Sequence, residues 1–353
     1  MIIGIIGGGQ LGMMMAEAAI ELGHEIISLD PNPNCSITRF SKEHIYKDYN
    51  DVDALSYINS TCDVITYEFE NVNLEVLNIY IDKIPQKLEA LRISRDRIVE
   101  KHYARRLGIT TPKYMELSSS EALFYPSIVK TTTGGYDGKG QYMIDKLEDV
   151  NQIDFNSGFT YICEELIHFD YEISVVASRD VFGNIVTLPI PVNKHVNGIL
   201  HTSTITNDIP IMIQEKAINF TKRIISNLDY IGTLAVEFFV RGSDVLFNEF
   251  APRPHNSGHY SIEGCTTSQF KNHILAITGE EVITSELLNP TVMLNVLGQN
   301  KSYYEHASIF KHCDAHDYYK DSNKHNRKIG HITCMSPNSK KLKVFIDTIT
   351  KEK

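Results

Sequence analysis

The apolar positions change their period along the chain, and that change marks out the elements. Met1–Ile6 is a continuous apolar run, the pattern of a strand buried on both faces. It breaks at Gly7-Gly8-Gly9-Gln10-Leu11-Gly12, after which Met13–Leu22 reads as a helix stopped by Gly23. Glu25–Leu29 is a second strand ending at Asp30-Pro31, and His44–Lys47, Ala54–Thr61 and Asp63–Glu68 continue the alternation of strand and helix. This pattern predicts an α/β unit with a mostly parallel sheet, ending between Pro85 and about Ile93. Arg95–Gly108 is a helix followed by Pro112. Beyond it the texture becomes mixed α+β. Strands are expected at Ser127–Thr131, Gln141–Ile144, Tyr161–Leu166 and Glu172–Ser178, and an amphipathic helix over Ile213–Leu228. Thr233–Val240 and Val245–Ala251 form a hairpin around Arg241-Gly242-Ser243-Asp244. After about Pro290 come only short segments, Val292–Leu297 and Ile329–Met335, and a polar tail carrying lysines.

Length and charge narrow the function classes. At roughly 150 residues per domain, 353 residues suggest two or three domains. With 34 Lys+Arg against 44 Asp+Glu the formal charge is -10, a poor match to a general nucleic-acid binder. Anionic ligands must then be held by local cations, backbone amides or a metal. No apolar run approaches the ~18 residues of a membrane span. The first basic residue is Arg39, so the apolar start lacks the charged region of a signal peptide. Cys35, Cys62, Cys163, Cys265, Cys313 and Cys334 are scattered with no CxxC pair, which predicts reduced thiols in a cytoplasmic protein rather than disulfides or a zinc framework.

Five segments carry candidate chemistry. Gly7-x-Gly9-x-x-Gly12, after a strand and before a helix, with Asp30 closing the next strand, fits a dinucleotide turn; close packing, which favours glycine in any strand-to-helix turn, is the better reading. Lys130 followed by Gly134-Gly135-Tyr136-Asp137-Gly138-Lys139-Gly140-Gln141 places four glycines and a second lysine between two strands. A plain hairpin needs one Asp-Gly, so a phosphate-cradling loop is the better reading. Glu237 on one hairpin strand and Asn248-Glu249 on the other offer oxygen ligands for Mg²⁺. A three-residue turn would set Glu237 opposite Glu249, and a two-residue turn would set it opposite Asn248. Arg253-Pro254-His255-Asn256-Ser257-Gly258-His259 is a proline-broken loop dense in donors, better suited to substrate recognition than to zinc. Lys320 and Arg327-Lys328 read, on chemistry alone, as solvated surface charge.

Taken together these segments resemble the ATP-grasp enzymes, and among them the N5-carboxyaminoimidazole ribonucleotide synthase family. The resemblance rests on Gly4–Gly12, Thr66-Tyr67-Glu68-Phe69-Glu70-Asn71-Val72, Asp96-Arg97, Gly134–Gln141, Val236–Phe239, Asn248–His259 and Arg327-Lys328-Ile329-Gly330-His331, and runs to about residue 335. It implies an ATP-grasp fold with a Rossmann-like pre-ATP-grasp domain over 1–94, an ATP-grasp domain over 95–289 with a flexible lid at about 113–170, and a small β-rich C-terminal domain over 290–353. The implied reaction carboxylates 5-aminoimidazole ribonucleotide with bicarbonate in purine biosynthesis, using ATP and Mg²⁺ or Mn²⁺, without biotin or NAD. The resemblance also implies a cytoplasmic homodimer whose partners are small molecules, not nucleic acid or membrane.

Carried over by position, Arg97, Lys130 and Gly135–Gln141 (Gly135, Tyr136, Asp137, Gly138, Lys139, Gly140, Gln141) match nucleotide contacts. Glu164, Glu165, Leu166 and Ile167 match the adenine segment, with backbone bonds from Glu165 to Ile167. Glu172 matches the ribose carboxylate, and His195 a further nucleotide contact. Glu237, Glu249 and Asn248 match the metal ligands, Asn248 and Glu249 also touching the nucleotide. Tyr136, Asp137, Arg253, His255 and Asn256 match the substrate side. Lys320 and Arg327 match a 5′-phosphate clamp, which overturns the surface-charge reading. Arg253, Lys130 and Asp137 are the catalytic candidates. The chain departs from the family at Asp317-Tyr318-Tyr319-Lys320, where Leu-Tyr-Gly-Lys is usual, and at Val192-Asn193-Lys194-His195, where Glu-Asn-x-His is usual. A formate-dependent glycinamide ribonucleotide transformylase shares the implied fold and is the sibling alternative. An NAD-dependent dehydrogenase is the rival suggested by the first glycines.

Overall fold

In the computed structural model, which describes residues 1–117, 124–134, 140–155, 158–206, 208–320 and 324–351, the first apolar runs pair with one another. β1 (Ile2–Ile6), β2 (Glu25–Leu29), β3 (Glu43–Ile45) and β4 (Val64–Tyr67) form a parallel sheet in the order β3-β2-β1-β4. Helix α1 (Gln10–Glu21) follows β1, and α2 (Val52–Thr61) lies between β3 and β4. The first helix begins at Gln10, not Met13, because the glycine turn is complete by Gly9. Gly23, at φ +81, ends it in the left-handed conformation that suits glycine. Short helices α3 (Leu74–Asn78) and α4 (Glu89–Ser94) lead to α5 (Arg97–Arg106), whose N-cap Asp96 accepts from the amides of Ile98 and Val99.

Two antiparallel sheets follow. β5 (Tyr114–Leu117), β6 (Ser127–Thr131), β7 (Gln141–Ile144) and β8 (Tyr161–Glu165) make a small sheet in the order β5-β8-β6-β7. The large sheet contains β9 (Tyr171–Arg179), β10 (Ile185–Thr187), β11 (Val192–Val196), β12 (Ile199–Ile205), β13 (Gly232–Arg241) and β14 (Asp244–Ala251), with β14 at one edge. Helix α6 (Ile211–Asn227) turns Ile213, Ala217, Phe220 and Ile224 onto it, the face that the helical spacing predicts. After α7 (Ser261–Gly264), helix α8 (Gln269–Ile277) packs against both the large sheet and α1. Phe270 and Ile274 thereby enter the same core as Met13 and Met14, each such burial contributing about 1.5–3 kcal/mol.

The C-terminal strands do not form a sheet of their own. β15 (Thr291–Leu297) pairs with β12, then β17 (Lys328–Met335) with β15, and β16 (Cys313–Asp317) with β17, so they extend the large sheet. Between the two expected segments lie helix α9 (Tyr303–Ala307) and β16, which the apolar pattern does not mark. The expected polar tail is helix α10 (Lys340–Ile349), which buries Leu342, Phe345 and Ile349 between exposed lysines. Cys313 and Cys334 stand directly opposite in register, with Cα atoms 4.0 Å apart, and are disulfide-bonded. This corrects the expectation of six thiols. The register of two strands 21 residues apart, which no Cys spacing announces, brings the pair together. Cys35, Cys62, Cys163 and Cys265 are buried free thiols. No helix among the described residues is long and apolar enough to cross a membrane.

Candidate active site

A cleft of about 1290 Å³ opens where the parallel sheet, the small sheet and the large sheet meet. Single-ligand pockets run to about 1,000 Å³, so the space is sufficient for two small molecules. Its walls come from every part of the chain: Gln10 and Glu68 near the N-terminus, Lys130 and Glu164 on the small sheet, Glu237 on the large one, and Lys328 near the C-terminus.

The hairpin of β13 and β14 builds the floor. Arg241 pairs with Asp244, so the turn is the two-residue Gly242-Ser243, which alone would set Glu237 opposite Asn248. A β-bulge intervenes. Phe238 pairs with Phe247 and Glu237 with Glu249, leaving Asn248 as the extra residue. Each turn-size alternative is therefore half right: the short turn occurs, and the bulge still brings the two carboxylates together. Burial, and then the charge of Glu249, push the Glu237 carboxyl up to about 7. Glu249 lies deep in the molecule but 44% open to the cleft; the Arg97 guanidinium, 2.8 Å away, outweighs its burial and pulls its carboxyl down. His255 Nε2 lies 3.6 Å from Glu237. The amide of Ser257 donates to His255 Nδ1, so the proton is assigned to Nε2, and burial beside Arg253 keeps the ring neutral.

At the end of the cleft lined by the small sheet, Glu164 forms ion pairs with two ammonium groups, Lys101 at 2.9 Å and Lys130 at 3.1 Å. Burial alone would raise its carboxyl, but the two lysines hold it at about 2. Glu172 lies 2.7 Å from His195 Nδ1, beyond a second bulge between Lys194 and His195. The amide of Glu165 donates to Lys113 O and that of Leu166 to Pro126 O. Strand and loop bonding thus use those two amides, so any adenine bonds from this segment fall to its other backbone groups. Ile167 lines the cleft. Of the glycine loop, Gly134 and Gln141 line the cleft and Gly140 O accepts from Thr131 N; Gly135, Tyr136, Asp137, Gly138 and Lys139 lie outside the described residues.

The opposite end is built on the N-terminal turn. Glu68 accepts from the amides of Gly9 (2.5 Å) and Gly12 (2.8 Å), while Asp30 accepts from Gly8 N and Tyr49 OH, each at 2.7 Å. A Cβ on Gly9 would stand 2.6 Å from Glu68 Oε1, so carboxylate approach explains that glycine. Both halves of the dinucleotide signature are thus engaged within the chain, which favours the close-packing reading of this turn. Lys320 Nζ donates to the Gln10 side chain; burial lowers its pKa to about 8, Glu68 partly offsetting the loss. Arg327 is close enough to push Lys320 further down. Tyr319, where the family usually has glycine, adopts φ +54 with Arg39 stacked 3.7 Å above its ring.

Arg253 pairs with Glu70 at 2.9 Å, and both amide atoms of the Asn256 side chain are buried with no hydrogen-bond partner among the described residues. Sequence reasoning assigned no role to Glu68, Glu70, Glu100 or Lys101. For Glu68 and Glu70 a signal existed: acids just after a fully buried parallel strand stand at the carboxyl edge of its sheet, where such folds bind ligands. Away from the cleft, Glu263, His316 and His331 bring ligand atoms within 4.8 Å of one another. The two imidazoles stack in parallel at 4.4 Å and 7°, so their lone pairs do not converge, and His316 instead pairs with Glu263 at 2.5 Å.

Comparison with known proteins gives a consistent set of relatives. Residues 1–91 match the ribonucleotide synthetase preATP-grasp domain, 102–270 the ATP-grasp domain, and 291–344 the phosphoribosylaminoimidazole carboxylase C-terminal domain. The N5-carboxyaminoimidazole ribonucleotide synthase of Staphylococcus aureus strain COL is 39% identical over 352 residues, covering 95% of this chain and 92% of its own length. The crystal structure of the Staphylococcus aureus N5-carboxyaminoimidazole synthetase complexed with ADP superposes with a TM-score of 0.94 at 36% identity, covering 99% of this chain and 97% of that one. The Aspergillus clavatus synthase in complex with ADP and 5-aminoimidazole ribonucleotide gives 0.91 at 26%, with the same coverage.

Proposed function

The chain belongs to the N5-carboxyaminoimidazole ribonucleotide synthase family, and on that premise we propose an ATP-dependent carboxylation within this cleft. Bicarbonate and the 5-amino group of 5-aminoimidazole ribonucleotide are joined to give N5-carboxyaminoimidazole ribonucleotide, ADP and phosphate, in purine biosynthesis. The observation that carries the reading at this site is the facing pair Glu237 and Glu249, set between the Lys130 end and the Lys320 end of one cleft.

The donor set fits a divalent cation. Two carboxylates face each other across the hairpin, one sunk and one open to the cleft, and Glu237 is raised to about 7 partly because Glu249 beside it is charged. Glu237 and Glu249, with Asn248, would hold Mg²⁺ or Mn²⁺, which when bound neutralises phosphate charge. Arg97, Lys130, Gly140 and Gln141 bind the phosphates. Glu172, backed by His195, takes the ribose hydroxyls, and the Glu165–Ile167 segment borders the adenine. Glu164 acts through the lysines it holds. Lys320 and Arg327 take the ribonucleotide phosphate, and Asn256 offers its amide to the substrate.

Arg253, held by Glu70, presents its guanidinium to bicarbonate and then to carboxyphosphate. An oxygen of bicarbonate takes the γ-phosphoryl group as ADP leaves. The amine then attacks the carbonyl carbon, expelling phosphate and losing a proton from nitrogen. The neutral His255 donates from Nε2 on that side of the cleft. Positioning and charge neutralisation dominate such a reaction. Tyr136 and Asp137 keep the substrate-side and catalytic roles that the resemblance implies. Division near residues 94 and 289, a lid over about 113–170, and a cytoplasmic homodimer belong to the same reading and rest on the resemblance. ADP release should require both the ribonucleotide and bicarbonate; equal turnover without the ribonucleotide would overturn the reading, and turnover with formate in place of bicarbonate would point to the transformylase.

A further inference from the structure

The first turns of α5 meet the bulge of β14 with three side chains. Arg97 pairs with the Glu249 carboxylate at 2.8 Å, Lys101 Nζ donates to Asn248 O at 3.0 Å, and Glu100 Oε1 accepts from Phe250 N at 2.7 Å. Three consecutive residues of an edge strand are thus gripped from one helix, and the middle of that grip is the bulge that sets Glu249 opposite Glu237. A bulged residue has lost its ladder partner, so its buried backbone atoms need another.

Lys101 does more than its neighbours. Its side chain is 2% exposed, and the same ammonium that holds Asn248 O also pairs with Glu164 at 2.9 Å, on the other sheet. Glu164 in turn holds Lys130 at 3.1 Å. One buried cation therefore joins the bulge under the metal carboxylates to the counter-ion of the phosphate lysine. Without it, Asn248 O is left without its lysine donor, and Glu164 keeps Lys130 as its single cation, drawing that ammonium away from the cleft.

We propose that Lys101 is a positioning residue for nucleotide binding, setting the aim of Lys130 and of Glu249 together while touching neither substrate nor metal. This rests on the nucleotide and metal roles proposed above. The test uses the full chain and Mg·ADP binding by calorimetry, beside thermal unfolding, so that no turnover is needed. Lys101→Met keeps side-chain length without charge and leaves Glu164 paired with Lys130, and Lys101→Arg keeps a charged donor at the same place. In Lys101→Met we expect Mg·ADP to bind at least 10-fold more weakly. Lys101→Arg should recover most of that affinity, because Asn248 O and Glu164 regain a cationic donor. Should Lys101→Met fail to fold, Lys101→Gln, shorter and uncharged but still a donor, takes its place with the same expected loss. Affinity within twofold of wild type in the folded uncharged variant would overturn the proposal and make Lys101 a structural counter-ion only. Failure of the wild-type chain to bind Mg·ADP would instead overturn the functional reading, and this inference with it.

Discussion

Glu164 and Glu237 face the same cleft, are both sunk in protein, and move in opposite directions. Glu164 has two ammonium groups within 3.1 Å and is held at about 2; Glu237 has a neutral imidazole at 3.6 Å and a charged carboxylate opposite, and rises to about 7. Burial pushes both upward, so the built-in partner makes the difference. The chain supplies its own counter-charges to Glu164 and leaves those of Glu237 incomplete, at the place proposed for a cation. Glu68 lies between the extremes. Two backbone amides and a nearby lysine partly offset its burial, and its carboxyl is raised.

The contrast can be broken most severely at the incomplete pair. Glu249→Ala should keep the fold, since the residue is open to the cleft, and reduce ATP turnover on the order of 1,000-fold, as read by ADP release beside circular dichroism. Full activity in this variant would remove the metal assignment. Next in size, Glu164→Gln strands two buried ammonium groups and should cost roughly 3 kcal/mol in denaturant unfolding. The sign with pH follows from the lowered carboxyl. Wild type holds this stabilisation above pH 4.5 and loses it as the pH falls toward about 2, so the variant should show a flatter acid limb.

Glu237 behaves in the reverse sense. Its folded-state pKa is raised, so without a cation its contribution becomes increasingly unfavourable as the pH rises from 4.5 through 7. The Mg²⁺ proposed for this site would have to displace that proton. Its apparent affinity, read from thermal shift, should be about tenfold weaker at pH 6 than at pH 8. The smallest effect belongs to the third carboxylate's end. Tyr319→Gly relieves the φ of +54 beside Lys320 but loses the Arg39 contact and loosens the unfolded chain, so stability should change by less than about 1 kcal/mol.

Much of this was legible in residue order, for local reasons. The apolar run Ile2–Ile6, the stop at Gly23 and the period of Ile213, Ala217, Phe220 and Ile224 each report on neighbours within a few positions, and the structure follows them. So does the register that sets Glu237 opposite Glu249, but only through the bulge at Asn248, which the turn dipeptide does not encode. Helix α10 escaped because its lysines masked a three-residue apolar stripe, and β16 because its residues Cys313–Asp317 carry little apolar character.

What the sequence determined by itself is the inventory: which strands are buried on both faces, which turns need glycine, and which segments carry cations for anionic ligands on a chain of net charge -10. Tertiary structure decided the use of that inventory. Glu68 reaches across 59 residues to occupy the first glycine loop, Lys101 reaches across 147 to hold the bulge, and Cys313 meets Cys334 through strand register. Propensity and period act over a turn or two of chain. Ionisation, hydrogen-bond satisfaction and metal-ligand geometry depend on what is within about 4 Å in space, and only the packed sheets bring those partners there.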